Sequence, residues 1–255
     1  MSGEVIEIRD GSIVTLTLSN PGKLNALTQV MRDALTEALQ RLNQMPECRA
    51  IILTGADGNF SAGADIQGWG EKTVQECRIR LKKGGAALMR EMIAGSKPIV
   101  AAVEGYAYGA GLALAAAADH LIASTSSKFC CAFTKVGFIP DLALMYSLPR
   151  RVSSAKAKQL IALADTIDGV YAEEIGLVDE TTPAGSTLAR ARQVALRYAE
   201  TPPLAFELMK SAFARDLECM IQAEIDLQPY AWLSEDHEEG KRAFAEKRKP
   251  LFTGK

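Results

Sequence analysis

At 255 residues and 48% hydrophobic, the chain is long enough to bury a large core, as one domain or as a domain with an appendage. Its 29 basic and 31 acidic residues nearly cancel, which removes the broad basic field expected of a nucleic-acid binder and leaves a small acidic ligand compatible. The N-terminal stretch has no basic region leading into a long apolar run, and no segment approaches the roughly 18 apolar residues of a membrane span. The five cysteines (48, 77, 130, 131, 219) show no CxxC spacing, which argues against a disulfide framework or a zinc site. The expectation is a soluble cytoplasmic protein with no metal, nucleic-acid or membrane partner.

In chain order, Val5 to Ile8 and Ile13 to Leu18 alternate around Asp10-Gly11 and predict a β-hairpin. A helix is predicted from Thr28 to Asn43, with Thr28 as N-cap and Val30, Met31, Leu35, Leu39 and Leu42 on one face. Ala50 to Thr54 reads as an apolar strand that ends in the loop Gly55 to Asp65. From Glu71 to Met92 the spacing is helical with many charges, interrupted by Gly84-Gly85, and suggests a mobile helical excursion. Pro98 to Val103 is short, apolar and β-branched, as a buried strand should be. After Gly109-Ala110-Gly111, the run Leu-Ala-Leu-Ala-Ala-Ala-Ala has high helix propensity. Strand, glycine turn and helix in that order leave the first helical N–H groups unpaired beneath the positive end of the helix dipole, a place that suits an anion.

Farther on, His120 to Ser124 and Lys128 to Phe133 predict strands, Val136 to Asp141 a loop, and Leu142 to Pro149 a short helix. Helices follow over Ser154 to Leu163 and Thr187 to Glu200, separated by a turn at Asp168-Gly169. The Pro202-Pro203 pair marks a boundary. It divides an α/β body, residues 1–201, from residues 202–255, read as two amphipathic helices with a basic end. Repeated strand–turn–helix units imply a parallel sheet covered by helices. An all-helical tail with an apolar face suggests an oligomer.

The segments Asn20-Pro-Gly-Lys-Leu-Asn-Ala-Leu27, Leu53-Thr-Gly55, Phe60-Ser-Ala-Gly-Ala-Asp-Ile66, Lys97-Pro98, Gly105-Tyr-Ala-Tyr-Gly-Ala-Gly111 and Glu239 to Arg248 together resemble the crotonase, or enoyl-CoA hydratase/isomerase, superfamily. The resemblance runs through essentially the whole chain in the right order. It implies an α/β crotonase spiral of ββα units with a C-terminal α-helical trimerisation region, a homotrimer or dimer of trimers, and an acyl-CoA thioester as ligand. No cofactor is implied beyond the coenzyme A moiety of that substrate.

The resemblance also assigns residues. The backbone N–H groups of Ala64 and Ala110 would form an oxyanion hole for the thioester oxygen, worth on the order of 10²–10³ in rate for each donor. The family usually has glycine at the position of Ala110, but alanine keeps the donor because only the backbone is used. Lys23, Ala26, Ala62, Asp65 and Ile66 would bind coenzyme A, with Lys23 facing a phosphate or remaining a solvated loop lysine. The family's hydratases carry glutamates three residues after the oxyanion donor and twenty farther on. Here those places hold Ala113 and Phe133, which argues against ordinary 2-enoyl-CoA hydration.

One acid remains at a working position of the family. Asp141 is placed where isomerase and dehalogenase members carry an aspartate. A lone carboxylate suits a proton shift from C2 to C4, and apolar neighbours could raise its pKa; the same residue could instead cap the following helix. Phe133, Leu142, Met145 and Tyr146 are candidates for the acyl pocket. The expectation is an acyl-CoA isomerase. The alternatives are an enoyl-CoA hydratase, an aromatic acyl-CoA dehalogenase-like enzyme, disfavoured by Phe133 and by the positions of His120 and His237, and a non-catalytic CoA-binding protein.

Overall fold

The computed structural model describes residues 3–65, 70 and 72–255. The hairpin forms as predicted: β1 (Glu4–Asp10) pairs antiparallel with β2 (Ile13–Ser19) across Gly11. Three parallel neighbours, β3 (Ala50–Gly55), β4 (Ile99–Val103) and β6 (His120–Ser124), extend the sheet, and the short β9 (Glu180–Thr182) closes it in the order β1-β2-β3-β4-β6-β9.

Side chains alternate across these strands, so one pleat supplies two cores. Ile13, Ala50, Ile52, Val100, Ala102 and Ile122 meet helix α8 (Thr187–Ala199) through Ala191, Val194 and Ala195. The intervening Val14, Leu16, Leu18, Ile51, Leu53, Ala101 and Leu121 face the larger core. The row Leu16, Leu53, Ala101 and Leu121 runs in register through four strands. A second sheet of three strands lies apart from the first. Its members are β5 (Tyr106–Tyr108), β7 (Lys128–Cys130) and β8 (Ile167–Asp168).

Helix α1 (Gln29–Gln44) carries the expected cap, the Thr28 side chain accepting from the Met31 N–H at 3.2 Å. Met31, Leu35, Leu39 and Leu42 are buried, but Val30 is 56% exposed and stands off the apolar face, and Arg32 occupies that face instead. The glycine pair does not interrupt the excursion. Helix α2 (Val74–Leu81), a π-helical turn (Lys82–Ala86) and α3 (Ala87–Ile93) run on from one another, and the wider turn falls on Gly84-Gly85. A Cβ at Gly84 would lie 3.2 Å from Gln29 Oε1, and one at Gly85 3.0 Å from Leu142 Cδ2, so the glycines let this helix approach α1 and the 141–143 turn. Residues 69 and 71, with which the sequence reading began this region, lie outside the described residues.

Helix α4 (Ala110–Ala117) follows Gly109 and is buried along its whole length. The strand predicted to Phe133 stops at Cys130, because Phe133 already has helical dihedrals and leads a 3₁₀ turn (Thr134–Val136). Helix α5 (Leu144–Arg151) starts two residues later than expected, since Leu142 and Ala143 adopt left-handed backbone at φ 53° and 51°. After α6 (Ser154–Leu163), Asp168 accepts the Tyr171 N–H at 2.9 Å and caps a short helix, α7 (Gly169–Glu174), where only a turn was expected.

The tail holds three helices rather than two: α9 (Pro203–Phe213), α10 (Leu217–Trp232) and α11 (Glu235–Ala245), with breaks near Asp216 and Ser234. Leu217, Ile221, Ile225 and Trp232 of α10 join the main core, so the tail spends one apolar face on its own body. Leu204, Leu208, Phe213 and Tyr230 remain exposed. Among the described residues no helix is long and apolar enough to cross a membrane.

Candidate active site

Two loops meet at the wall of a cavity of about 270 Å³. In the first, Asn25 at φ 55° anchors the chain from within: its side-chain amide donates to Ala56 O and Asn59 O at 2.8 and 2.7 Å, and its carbonyl accepts from Ser61 Oγ at 2.8 Å. Gly63, at φ 111°, then turns the backbone so that Gly63 O accepts from Leu27 N–H and Asp65 N–H donates to Leu27 O. Ala64, between them, is left with its own N–H free of any backbone acceptor among the described residues. In the second loop Gly109, at φ 47° and ψ −113°, carries β5 into α4, and its N–H donates to Cys130 O at 2.9 Å. Ala110 is the first residue of α4, so its N–H is one of the orphan donors of a helix start.

The loops touch. A Cβ placed on Gly63 would lie 3.1 Å from Tyr108 O and 3.8 Å from Ala110 N. Ala64 and Ala110 both line the cavity, which gives it two neighbouring backbone donors with no acceptor among the described residues.

Asp141 lines the same cavity, together with Phe133 and Leu142. Its side chain does not cap α5: the N-cap position is Ala143, and only the Asp141 carbonyl takes part, accepting from Leu144 N–H at 3.1 Å. Burial pushes the Asp141 carboxyl up to about 6, against the opposing pull of Arg32, its own backbone N–H, Gln228 and Arg80. Arg32 is 6% exposed, and its guanidinium donates to Leu27 O at 3.3 Å and to Gln29 Oε1 at 2.7 Å. Burial, followed by the charge of Arg80, lowers its pKa, and Asp141 opposes that.

The tail contributes an acid that the sequence reading missed. Glu224 of α10, 5% exposed, lines the cavity and accepts the Ala143 N–H at its Oε2 at 3.1 Å. Its Oε1 is buried and has no hydrogen-bond partner among the described residues. Burial first, and Asp141 second, push its carboxyl up to about 8. One turn on, Gln228 donates to Ile139 O at 2.8 Å and accepts from Ile139 N–H at 3.1 Å, so α10 grips the 139–143 segment at two points. A sequence signal existed: Glu224 and Gln228 interrupt the apolar stripe of Ile221, Ile225 and Trp232, as Arg32 interrupts that of α1.

The other expected residues are distributed as follows. Lys23 is exposed and paired with Asp65 at 2.8 Å, on the loop where Ala26 N–H donates to Lys23 O and Ala62 N–H to Leu24 O. Ala62 reaches the cavity. Ile66 lies outside the described residues. Met145 and Tyr146 do not line the cavity, because the late start of α5 turns its first residues away; the Tyr146 hydroxyl donates to Phe213 O at 2.6 Å under the Arg150 guanidinium. Ala113 is fully buried in α4, and neither it nor Phe133 places a carboxyl in the site. His120 pairs with Glu180 on the sheet, and His237 stacks on Phe138; neither lines the cavity.

The chain as a whole has known relatives. Residues 8–255 match the family model described as enoyl-CoA hydratase/isomerase. The chain is 37% identical over 253 residues to a probable enoyl-CoA hydratase of Rhodobacter capsulatus, across 98% of this chain and 97% of that one. It is 33% identical over 253 residues to the 1,2-epoxyphenylacetyl-CoA isomerase of Escherichia coli, across 95% of each. Among solved structures, an enoyl-CoA hydratase from Mycobacterium avium subsp. paratuberculosis superposes with a TM-score of 0.86 at 29% identity, covering 98% of both chains. With a family match that spans nearly all its residues and a fold shared at that level, the chain belongs to the enoyl-CoA hydratase/isomerase family.

Proposed function

We propose that the protein is an acyl-CoA isomerase that shifts a 3-enoyl thioester to the conjugated 2-enoyl form or carries out a related proton-shift rearrangement. The observation that carries this reading is the carboxyl of Asp141, raised to about 6 and lining the cavity that the Ala64 and Ala110 N–H groups also line, with no carboxyl at positions 113 and 133. A base that titrates near 6 is ionised at neutral pH and is about a hundredfold more basic than an ordinary aspartate, which narrows the gap to a weakly acidic C2–H. Removal of that proton puts negative charge on the thioester oxygen. Two fixed N–H donors in an enclosed site stabilise it without reorganisation.

In this reading Lys23, Ala26, Ala62, Asp65 and Ile66 hold coenzyme A, and a CoA phosphate competes with Asp65 for Lys23. Phe133 and Leu142 bound the acyl group. Leu204, Leu208, Phe213 and Tyr230, exposed on the tail, support association into a trimer or dimer of trimers in the cytoplasm. A second reading, hydration of a 2-enoyl-CoA, is favoured by the hydratase names of relatives such as that of Rhodobacter capsulatus. Mixing the protein with a 3-enoyl-CoA and, separately, a 2-enoyl-CoA tests both. Conjugation of the first without water addition, lost by at least about 10²-fold in Asp141→Asn, is the expected result. Water addition to the second, or conjugation unchanged in the variant, refutes the isomerase assignment.

A further inference from the structure

We propose that Glu224 is the second proton-carrying group of this cavity, the acid that protonates the far carbon of the acyl group after Asp141 has taken a proton from C2; the inference rests on the isomerase reading above. Glu224 is 5% exposed and lines the cavity, so its carboxyl borders the space assigned to the acyl chain rather than bulk water. One oxygen accepts the Ala143 N–H and the other has no partner. Among the described residues no cation is bonded to it: Arg32 donates to Leu27 O and Gln29 Oε1, Arg78 pairs with Asp226, and Arg80 and Lys135 line the cavity without a bond to Glu224. A carboxylate enclosed in this way, with one buried oxygen that has no hydrogen-bond partner among the described residues and no bonded cation, is costly, whereas the protonated acid carries an O–H at that oxygen.

The neighbouring acid divides the labour. Asp141 is two residues from Ala143, whose N–H Glu224 holds, and two carboxyls sharing one site do not both ionise cheaply. Arg32, Arg80 and the Gln228 amide favour charge on Asp141, while Glu224 has one backbone N–H. The negative charge therefore rests on Asp141 and the proton on Glu224, as in other sites where two carboxyls take opposite roles.

The step balances. The Asp141 carboxylate takes the C2 proton, and the C–H electron pair becomes the dienolate, with its charge on the thioester oxygen at the Ala64 and Ala110 N–H groups. The oxygen's electrons then restore the carbonyl, the C2=C3 bond forms, and the former C3=C4 pair takes the proton of Glu224, whose O–H electrons stay behind as carboxylate. Transfer of the proton from Asp141 to Glu224 resets the site. No water, oxidant or net proton is consumed.

The test separates the two halves of the reaction with trans-3-hexenoyl-CoA in D₂O. Deuterium entering C2 reports proton removal, and formation of the conjugated thioester reports delivery to C4. Glu224→Gln keeps an oxygen for the Ala143 N–H and replaces a neutral group by a neutral group; conjugation is expected to fall by about 10²-fold or more, while C2 exchange and acyl-CoA binding stay near wild type. Glu224→Asp should recover part of the conjugation rate, and Asp141→Asn should lose both signals. Equal loss of exchange and conjugation in Glu224→Gln, or no loss of either, overturns the role of Glu224 while leaving Asp141 as base. A wild-type protein that neither exchanges nor conjugates overturns the isomerase reading, and the inference falls with it.

Discussion

A buried acid that keeps its proton should be visible in the stability of the protein as well as in its kinetics. Glu224 titrates near 4.5 in an open chain and about 8 in the cavity wall. Between those values the native state binds a proton that the unfolded state has released, so stability falls as pH rises, by about 1.4 kcal/mol per pH unit. The contribution of Glu224 is complete below pH 4.5 and gone above pH 8. Taken alone, the shift sets a ceiling of about 5 kcal/mol, and sharing the proton with Asp141 and admitting water on ionisation reduce the expected effect to about 2–3 kcal/mol. Glu224→Gln is neutral at every pH. In urea unfolding at fixed protein concentration, the variant and the wild type should have similar stability at pH 5, and the variant should be the more stable by about 2–3 kcal/mol at pH 9, or roughly 4–12 °C in Tm for a chain of this size. All other titrating groups are common to the two proteins, so the pH dependence of the difference reports Glu224 together with its coupling to Asp141. A difference that does not change between pH 5 and pH 9 would show that the native carboxyl is ionised at neutral pH, and the reasoning would fail.

Activity should follow the same pair. With Asp141 required as carboxylate and Glu224 as acid, kcat/KM for 3-enoyl-CoA is expected to rise through about pH 6 and fall through about pH 8. In Glu224→Gln the alkaline limb should disappear from the residual activity; an alkaline limb that persists assigns it to another group. At the oxyanion wall, Ala110→Pro removes one N–H that bonds to nothing in the helix, and proline suits the first helical position. Gly109 at φ 47° and ψ −113° is the mirror image of the extended backbone that precedes proline, so α4 should fold. The expected loss is about 10²–10³ in kcat, with secondary structure by circular dichroism unchanged. A folded variant within tenfold of wild type would remove Ala110 from the oxyanion hole.

Much of the fold could be read from local patterns because local physics decides it. The Asp-Gly turn sets the hairpin, Thr28 caps α1, and the apolar runs at Ala50 and Ile99 are strands buried on both faces. Misreadings occurred where tertiary contact overrides local preference. Gly84-Gly85 looked like a helix break, yet contact with Gln29 and Leu142 makes small residues useful within a π-helical turn. Two consecutive left-handed residues, Leu142 and Ala143, are foreign to their types, and the expected helix start was therefore two residues early. That shift decided the pocket: it kept Leu142 in the cavity wall and turned Tyr146 toward Phe213. Arg32 and Glu224 were missed for a related reason, since each reads as a stray charge on an amphipathic helix until the partner element is known.

The division between backbone and side-chain chemistry also explains how one fold can carry more than one reaction. The oxyanion donors proposed at Ala64 and Ala110 are peptide N–H groups, held by Gly63, Gly109 and the Leu27 bridge. Any side chain that tolerates the local backbone leaves them in place, which is why alanine at position 110 is chemically silent. Proton carriers are side chains, and each depends on the element that borders the cavity. In this chain α4 and the segment at Phe133 offer no carboxyl, the turn before α5 offers Asp141, and α10 offers Glu224. A tail read from sequence as an oligomerisation device thus places a carboxyl in the wall of its own cavity, the one proposed above as the acid. Truncating it at the proline pair would remove Glu224 and the Gln228 clamp on Ile139 together with Leu217, Ile221, Ile225 and Trp232 of the main core, so the tail's part in the cavity is tested by point substitution rather than by truncation.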